Sequence, residues 1–173
     1  LKILRRVQLQ DPRVRVVYHE TGNLSWKRNQ VLRLARAPII ANNDDDDISD
    51  PMRLEVTVRA FRADPKLGIF WGFAHLIDAE GERCGTHRWH AAGMSMESAG
   101  RLKVHSGSAA FRTEWAREVM YDEEWSTGTR WRPGHDYDFY FRYLQNHPKV
   151  ANYDGYLCSY RVVGPRVSSG KSW

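Results

Sequence analysis

Apolar positions recur along this chain with two different periods, and the switches between them mark out its elements. In residues 1–10, Leu1, Leu4 and Val7 fall at helical spacing, and Asp11-Pro12 closes the segment because the residue before a proline is pushed out of the helical region. Val14, Val16, Val17 and Tyr18 are β-branched or aromatic and predict a short strand over 14–19, broken by Gly22 and Asn23. Leu24, Val31, Leu32, Leu34 and Ala35 suit a helix over 24–36, with Lys27, Arg28, Arg33 and Arg36 mostly on its other side, and Pro38 ends it. Ile39-Ile40-Ala41 is short, apolar and bounded, as a fully buried strand of a parallel sheet is. It runs straight into Asp44-Asp45-Asp46-Asp47.

Pro51 suits a first helical turn, and Leu54, Val58 and Phe61 predict a helix over 52–62. Residues 68–77 are apolar enough for a second buried strand, ended by the turn Asp78-Ala79-Glu80-Gly81. Strands alternating with helices imply an α/β domain with a mostly parallel central sheet. Beyond it, 84–104 reads as a long loop region, 113–120 as a short helix, 136–146 as a firmer one, and 150–153 with 156–163 as a hairpin-like pair. One domain over 1–173 is expected, with βα units in 1–80 and a second part in 81–173.

Composition narrows the partners. The chain has 173 residues, 26 Lys and Arg against 21 Asp and Glu, and a formal charge of +5, so an acidic partner is admissible. No block of five or six like basic residues concentrates that charge, so no nucleic-acid partner is expected, and a basic nucleic-acid-binding domain stands as an alternative. No run of 18 apolar residues exists, and residues 1–10 mix charged with apolar positions instead of building a signal-peptide core. No transmembrane segment is expected, and the anticipated location is the cytoplasm, at most peripheral to the inner face of a membrane. Cys84 and Cys158 lie far apart, which suits free thiols, with a pairing left open.

Four consecutive carboxylates after a buried strand repel one another and call for a cation nearby. An Asp-x-Asp arrangement offers hard oxygen ligands suited to Mg²⁺ or Mn²⁺, and such an ion can bridge protein to a diphosphate. The alternative is a solvated acidic loop that caps the next helix, with Asp50 at its start. A calcium loop beginning at Asp44 fails, since Ser49 stands where glycine is required and Pro51 interrupts it. Cys84, His87 and His90 have zinc-like spacing without a fourth ligand. Among the tryptophans, Trp71 belongs in the core, while Trp131, beside Arg130, Arg132 and His135, suits sugar stacking.

Three stretches together resemble family 2 glycosyltransferases of the GT-A (Rossmann-like) fold. Gly22-Asn23-Leu24-Ser25-Trp26-Lys27-Arg28-Asn29 resembles their Gly-x-x-x-x-Ala-Arg-Asn helix start, with Lys27 in place of alanine. The stretch from Ile39 to Pro51 resembles their strand and Asp-x-Asp-Asp loop, with Asn42 and Asn43 replacing the usual apolar pair. Ser108-Ala109-Ala110-Phe111-Arg112, followed by Gly134-His135-Asp136-Tyr137-Asp138-Phe139, resembles the acceptor-side segment. Residues 156–168 resemble the terminal strand and basic turn, with Val162 and Val163 where a histidine is common.

The resemblance implies an inverting transferase that moves a sugar from a nucleotide sugar, a UDP-sugar above all, to a glycan, lipid-linked or protein hydroxyl with Mn²⁺ or Mg²⁺. It places Arg28, Asp44 and Asp46 on the donor, Asp46 and Asp44 on the metal, Asp136 as general base, and Trp131, His135 and Asp138 on the acceptor. The positive end of the helix after Gly134 and His135 would keep Asp136 ionised, and the bland role for Asp136 is a helix cap with Asp138 as dipole partner. A non-catalytic carbohydrate- or nucleotide-binding module of the same fold is the alternative. The resemblance also implies a strand–helix–strand unit ahead of Leu1, on the order of 40 to 60 residues given that a βαβ unit takes about 30 or more. The expectation is then a fragment of weak or no activity, with an exposed strand edge beside residues 14–18 or 39–41.

Overall fold

A computed structural model describes residues 2–18, 23–88, 104–124 and 134–162. α1 (Lys2–Gln10) follows the spacing of Leu4 and Val7 but buries none of its residues. Residues 14–18 form no strand despite their β-branched side chains, because no neighbouring strand among the described residues takes up their backbone hydrogen bonds. α2 (Leu24–Leu34) starts where Asn23 Oδ1 accepts the Trp26 N–H at 2.8 Å. Arg117 closes it from another helix by donating to the carbonyls of Leu32 and Ala35.

β1 (Ile39–Ala41), β2 (Ile48–Ser49), α3 (Arg53–Ala63), β3 (Ile69–Ile77), β4 (Arg83–His87), β5 (Ala110–Arg112), α4 (Thr113–Val119), α5 (His135–Asn146) and β6 (Val150–Arg161) follow, with a 3₁₀ turn at Ser106–Ser108. The sheet runs β1-β5-β3-β6-β2, with β4 sharing an edge of β3 with β5. The α/β class is as expected, but the sheet is mixed and not mostly parallel. Among the described strands only β3 and β6 run parallel, and the other four pairings are antiparallel.

The reason is connectivity. A parallel pair needs a long crossover, and β3 and β6 have α4 and α5 between them. β3 and β4 are joined instead by a tight turn in which Asp78 Oδ1 accepts the N–H groups of Glu80 and Glu82. β5 comes from the second half of the chain, inserts between β1 and β3 and runs against both. β1 therefore has β5 as its one partner among the described strands, and no described strand pairs with its other edge.

Two further differences concern β4 and β6. Part of the expected loop over 84–104 is strand β4, while residues 89–103 lie outside the described residues. The expected hairpin of 150–153 and 156–163 is one 12-residue strand, β6. The Asp154-Gly155 interruption is a bulge, visible as a register shift opposite Gly72 and Phe73.

Successive residues of β3 face opposite layers. Ile69 and Trp71 pack with Leu32, Phe111, Ala116, Phe139, Tyr140 and Tyr143, so α2, α4 and α5 cover one face. Phe70 packs with Phe61, Leu67 and Leu157 under α3 on the other. Trp71 is fully buried, a core residue as its sequence context predicts.

Candidate functional site

The acidic run leaves β1 as a tight loop in which the Asp47 N–H donates to the Asp44 carbonyl. Asp45 and Asp46 are exposed, whereas Asp44 and Asp47 are half-buried. The cation that four adjacent carboxylates require is partly supplied from below by Arg53, which is only 2% exposed. Its Nη1 donates to Ser49 Oγ at 2.8 Å and to Asn43 Oδ1 at 3.0 Å, and its Nη2 to the Asn42 carbonyl. The polar pair Asn42-Asn43, which departs from the family pattern, is thus what receives this buried guanidinium. Arg161 at the end of β6 adds a second tie, its N–H donating to Asp47 Oδ1 at 3.0 Å and its Nε to the Asp46 carbonyl at 3.1 Å.

Burial raises the Asp47 carboxyl to about 6, aided by Asp44 and Asp46 and opposed by the Arg161 N–H and by Arg53. Its Oδ2 is buried without a hydrogen-bond partner among the described residues. The 3₁₀ turn closes over the loop at Gly107, where a Cβ would lie 2.6 Å from Asp47 Oδ2 and 3.5 Å from Asp44 Oδ2. A side chain there would push the Asp47 carboxylate aside.

A cleft of about 670 Å³ opens beside this loop, walled by Leu24, Lys27, Arg28, Val31 and Leu32 of α2, the end of β1, Asp44–Asp46, Phe111 and Tyr121. That volume is in the range of cofactor and small-ligand sites. Arg28, Asp44 and Asp46, assigned from different stretches of sequence, line this one cleft. Arg28 also reaches across to α5 and forms an ion pair with Asp136. Its guanidinium carbon lies 5.3 Å from the centre of the Tyr121 ring.

Asp136 stands in the first turn of α5, after Gly134 at φ 105°, a left-handed conformation that favours glycine. His135 Nε2 lies 3.1 Å from Asp136 Oδ1. Burial, with the Arg28 charge second, holds the His135 imidazole down at about 4, so it is neutral at pH 7. Asp138 faces its own helix instead: Arg142 Nη2 donates to it at 2.6 Å while Arg142 Nη1 donates to the Val119 carbonyl. Trp131 lies outside the described residues, as do Trp89, Trp125 and His90.

Sequence reasoning missed Arg53, Arg161, Asp47, Gly107 and Tyr121 as parts of this site. A signal for Arg53 existed: Arg53, Thr57 and Phe61 recur at i, i+4, i+8 and are the buried face of α3, whereas Leu54, taken as a core position, is 64% exposed.

Two hard carboxylates at a strand end, beside a cleft able to take a diphosphate, fit a divalent ion completed by phosphate and water oxygens. Among the described residues no group of three His, Cys, Asp or Glu side chains could hold an ion by itself. Of the zinc-like trio, Cys84 and His87 lie on β4 and His90 lies outside the described residues.

A mixed sheet flanked by helices, with an aspartate loop leaving an edge strand into a cleft, is the GT-A type of α/β domain. The crystal structure of residues 1–349 of TarS from S. aureus in complex with UDP-GlcNAc superposes at a TM-score of 0.72, with 16% identity over 99% of this chain and 50% of that one. TarS 1–349 without the complex gives 0.68 at 14% identity, over 93% and 48% of the two chains. The family model for glycosyl transferase family 2 matches residues 1–120, and the chain belongs to that family. An uncharacterized glycosyltransferase of Methanocaldococcus jannaschii, MJ1057, is 23% identical over 165 residues, 93% of this chain and 55% of the relative. An uncharacterized protein of Sinorhizobium fredii, y4gI, is 31% identical over 121 residues, 69% of this chain and 11% of the relative. The chain therefore spans about a tenth to about half the length of these curated relatives.

Proposed function

We propose that this chain carries the metal side and the general base of an inverting glycosyltransferase that uses a nucleotide sugar. What carries the reading is one cleft that gathers Arg28, Asp44 and Asp46, with Asp136 held to its edge by Arg28. The similarity to a protein solved with UDP-GlcNAc supports a UDP-sugar as donor. Asp44 and Asp46 would hold Mn²⁺ or Mg²⁺, which supplies charge neutralisation for a leaving diphosphate. Arg28 adds a fixed positive charge on the same side of the cleft.

Asp136 takes the proton of the acceptor hydroxyl. The acceptor oxygen then bonds to the anomeric carbon on the face opposite the diphosphate, the old carbon–oxygen bond breaks, and its electron pair leaves on the nucleoside diphosphate. Attack from the opposite face inverts the anomeric configuration. In this reading the neutral His135 beside Asp136 touches the acceptor, and Trp131 serves as the stacking surface. A hydroxyl of a glycan, lipid-linked saccharide or protein meets these requirements.

The test is a thermal-shift panel of nucleoside diphosphates and their sugars, with and without Mn²⁺, alongside a transfer assay. A metal-dependent rise in Tm for one nucleotide is expected. Asp136→Asn should abolish transfer and leave metal-dependent nucleotide binding in place, whereas a binding module has no transfer to lose. No shift with any nucleotide would overturn the reading.

A further inference from the structure

We propose that Arg28 is shared between the base and the donor: it is paired with Asp136 until a donor binds and then turns to the donor diphosphate, uncovering the base only then. This rests on the donor-and-base reading of the cleft. It adds a coupling between two sites that lie on different elements, α2 and α5.

The argument starts from one guanidinium with two claims on it. Arg28 lines the cleft beside Asp44, Asp45 and Asp46, and it is ion-paired with Asp136. Both side chains of that pair are largely shielded from water, at 18% and 22% exposed, so the attraction is only partly screened. A diphosphate beside Asp44 and Asp46 brings more negative charge than a single carboxylate, and its oxygens match the guanidinium fork. The Tyr121 ring beneath Arg28 keeps the cation over one platform while its tip changes partner.

Among the described residues no second cation is placed to take over at Asp136. His135 is the other ring within reach, 3.1 Å away, and burial, the larger cause of its lowered pKa, still opposes its taking a proton when Arg28 leaves. Arg142 is engaged by Asp138 and by the Val119 carbonyl. When Arg28 leaves, the Asp136 carboxylate therefore loses its one ion-paired arginine among the described residues and becomes the better proton acceptor. An acceptor hydroxyl meets an active base only after the donor is bound.

Coupling of this kind is reciprocal, which makes it measurable without an acceptor. If Asp136 competes with the donor for Arg28, removing its charge must tighten nucleotide binding. Calorimetric titration of UDP with Mn²⁺ is expected to show Asp136→Asn binding about three- to tenfold tighter than the parent, and Arg28→Gln about tenfold weaker. In the Arg28→Gln background, Asp136→Asn should change the affinity less than about twofold. Asp136→Ser provides the same comparison should the asparagine variant not fold. As an independent readout, the Arg28 side-chain N–H resonance of the parent should move on addition of UDP toward its position in Asp136→Asn.

Unchanged or weaker UDP binding by Asp136→Asn overturns the proposal and leaves the donor reading standing. Equal tightening in both backgrounds also overturns it, because it means general electrostatics and not a shared cation. Failure of UDP and of every other nucleoside diphosphate to bind any of the four forms overturns the donor reading, and the sharing of Arg28 falls with it.

Discussion

Single side chains here take their roles from burial more than from type. Arg53 carries the same charge as the exposed arginines, yet it lies under the aspartate loop and bonds to Asn42, Asn43 and Ser49. The two cysteines differ in the same way. Cys84 is exposed on β4, whereas Cys158 is buried on β6 with its Sγ 3.7 Å from His105 Nδ1, and neither is in a disulfide. Burial, with the negative charge of Asp47 second, pushes the Cys158 thiol up to about 12. Thiolate is the reactive form, so the folded protein should release close to one equivalent of chromophore with a disulfide reagent at pH 8, and two after denaturation. Two fast-reacting thiols in the folded state would contradict the placement of Cys158.

Helix α3 and strands β3 and β6 show how far a one-dimensional pattern carries. The apolar stripe of α3 located the helix but turned it by one position, because a buried arginine and threonine share the inner face with Phe61. For β6 the break expected between 153 and 156 is a bulge instead. The closest fit between these elements lies at Gly72 of β3, where a Cβ would stand 2.4 Å from Leu157 Cγ and 2.8 Å from its Cβ. Leu157 is fully buried under α3 and has little room to yield. Gly72→Ala should therefore cost about 1–3 kcal/mol of stability, seen as a lower urea midpoint at unchanged slope. A variant as stable as the parent would show that this layer is looser than described.

For the molecule as a whole, stability against pH is set by buried groups that shift in opposite directions. His105 and His135 stand near 4 when folded against 6.5 in their ordinary state, burial being the first cause for both. Between those values the unfolded chain binds more protons, so their contribution is complete above pH 6.5 and is lost as pH falls toward 4. Asp47 works the other way: raised from 3.8 to about 6, it favours the folded state at low pH and loses that contribution as pH rises to 6. Two imidazoles outweigh one carboxyl, so Tm should climb from pH 4 to 6.5, and His105→Gln should flatten the climb. A profile that falls over this range would overturn the balance. The edge of β1 that no described strand pairs with and the exposure of α1 among the described residues belong to this level too, since both are properties of what packs against what. No helix among the described residues is long and apolar enough to cross a membrane.

Sequence alone located helices α1 to α5, strands β1 and β3, the aspartate loop and the family, because periodicity, capping and motif spacing are local properties written in consecutive residues. It also named Arg28, Asp44, Asp46 and Asp136 by resemblance. Tertiary structure alone decided strand direction, the insertion of β5 between β1 and β3, the burial of Arg53 and the meeting of Arg28 with Asp136. Those depend on contacts between residues as far apart as 28 and 136, and the energy of an ion pair or a strand pairing is set by distance in space, which no local pattern encodes.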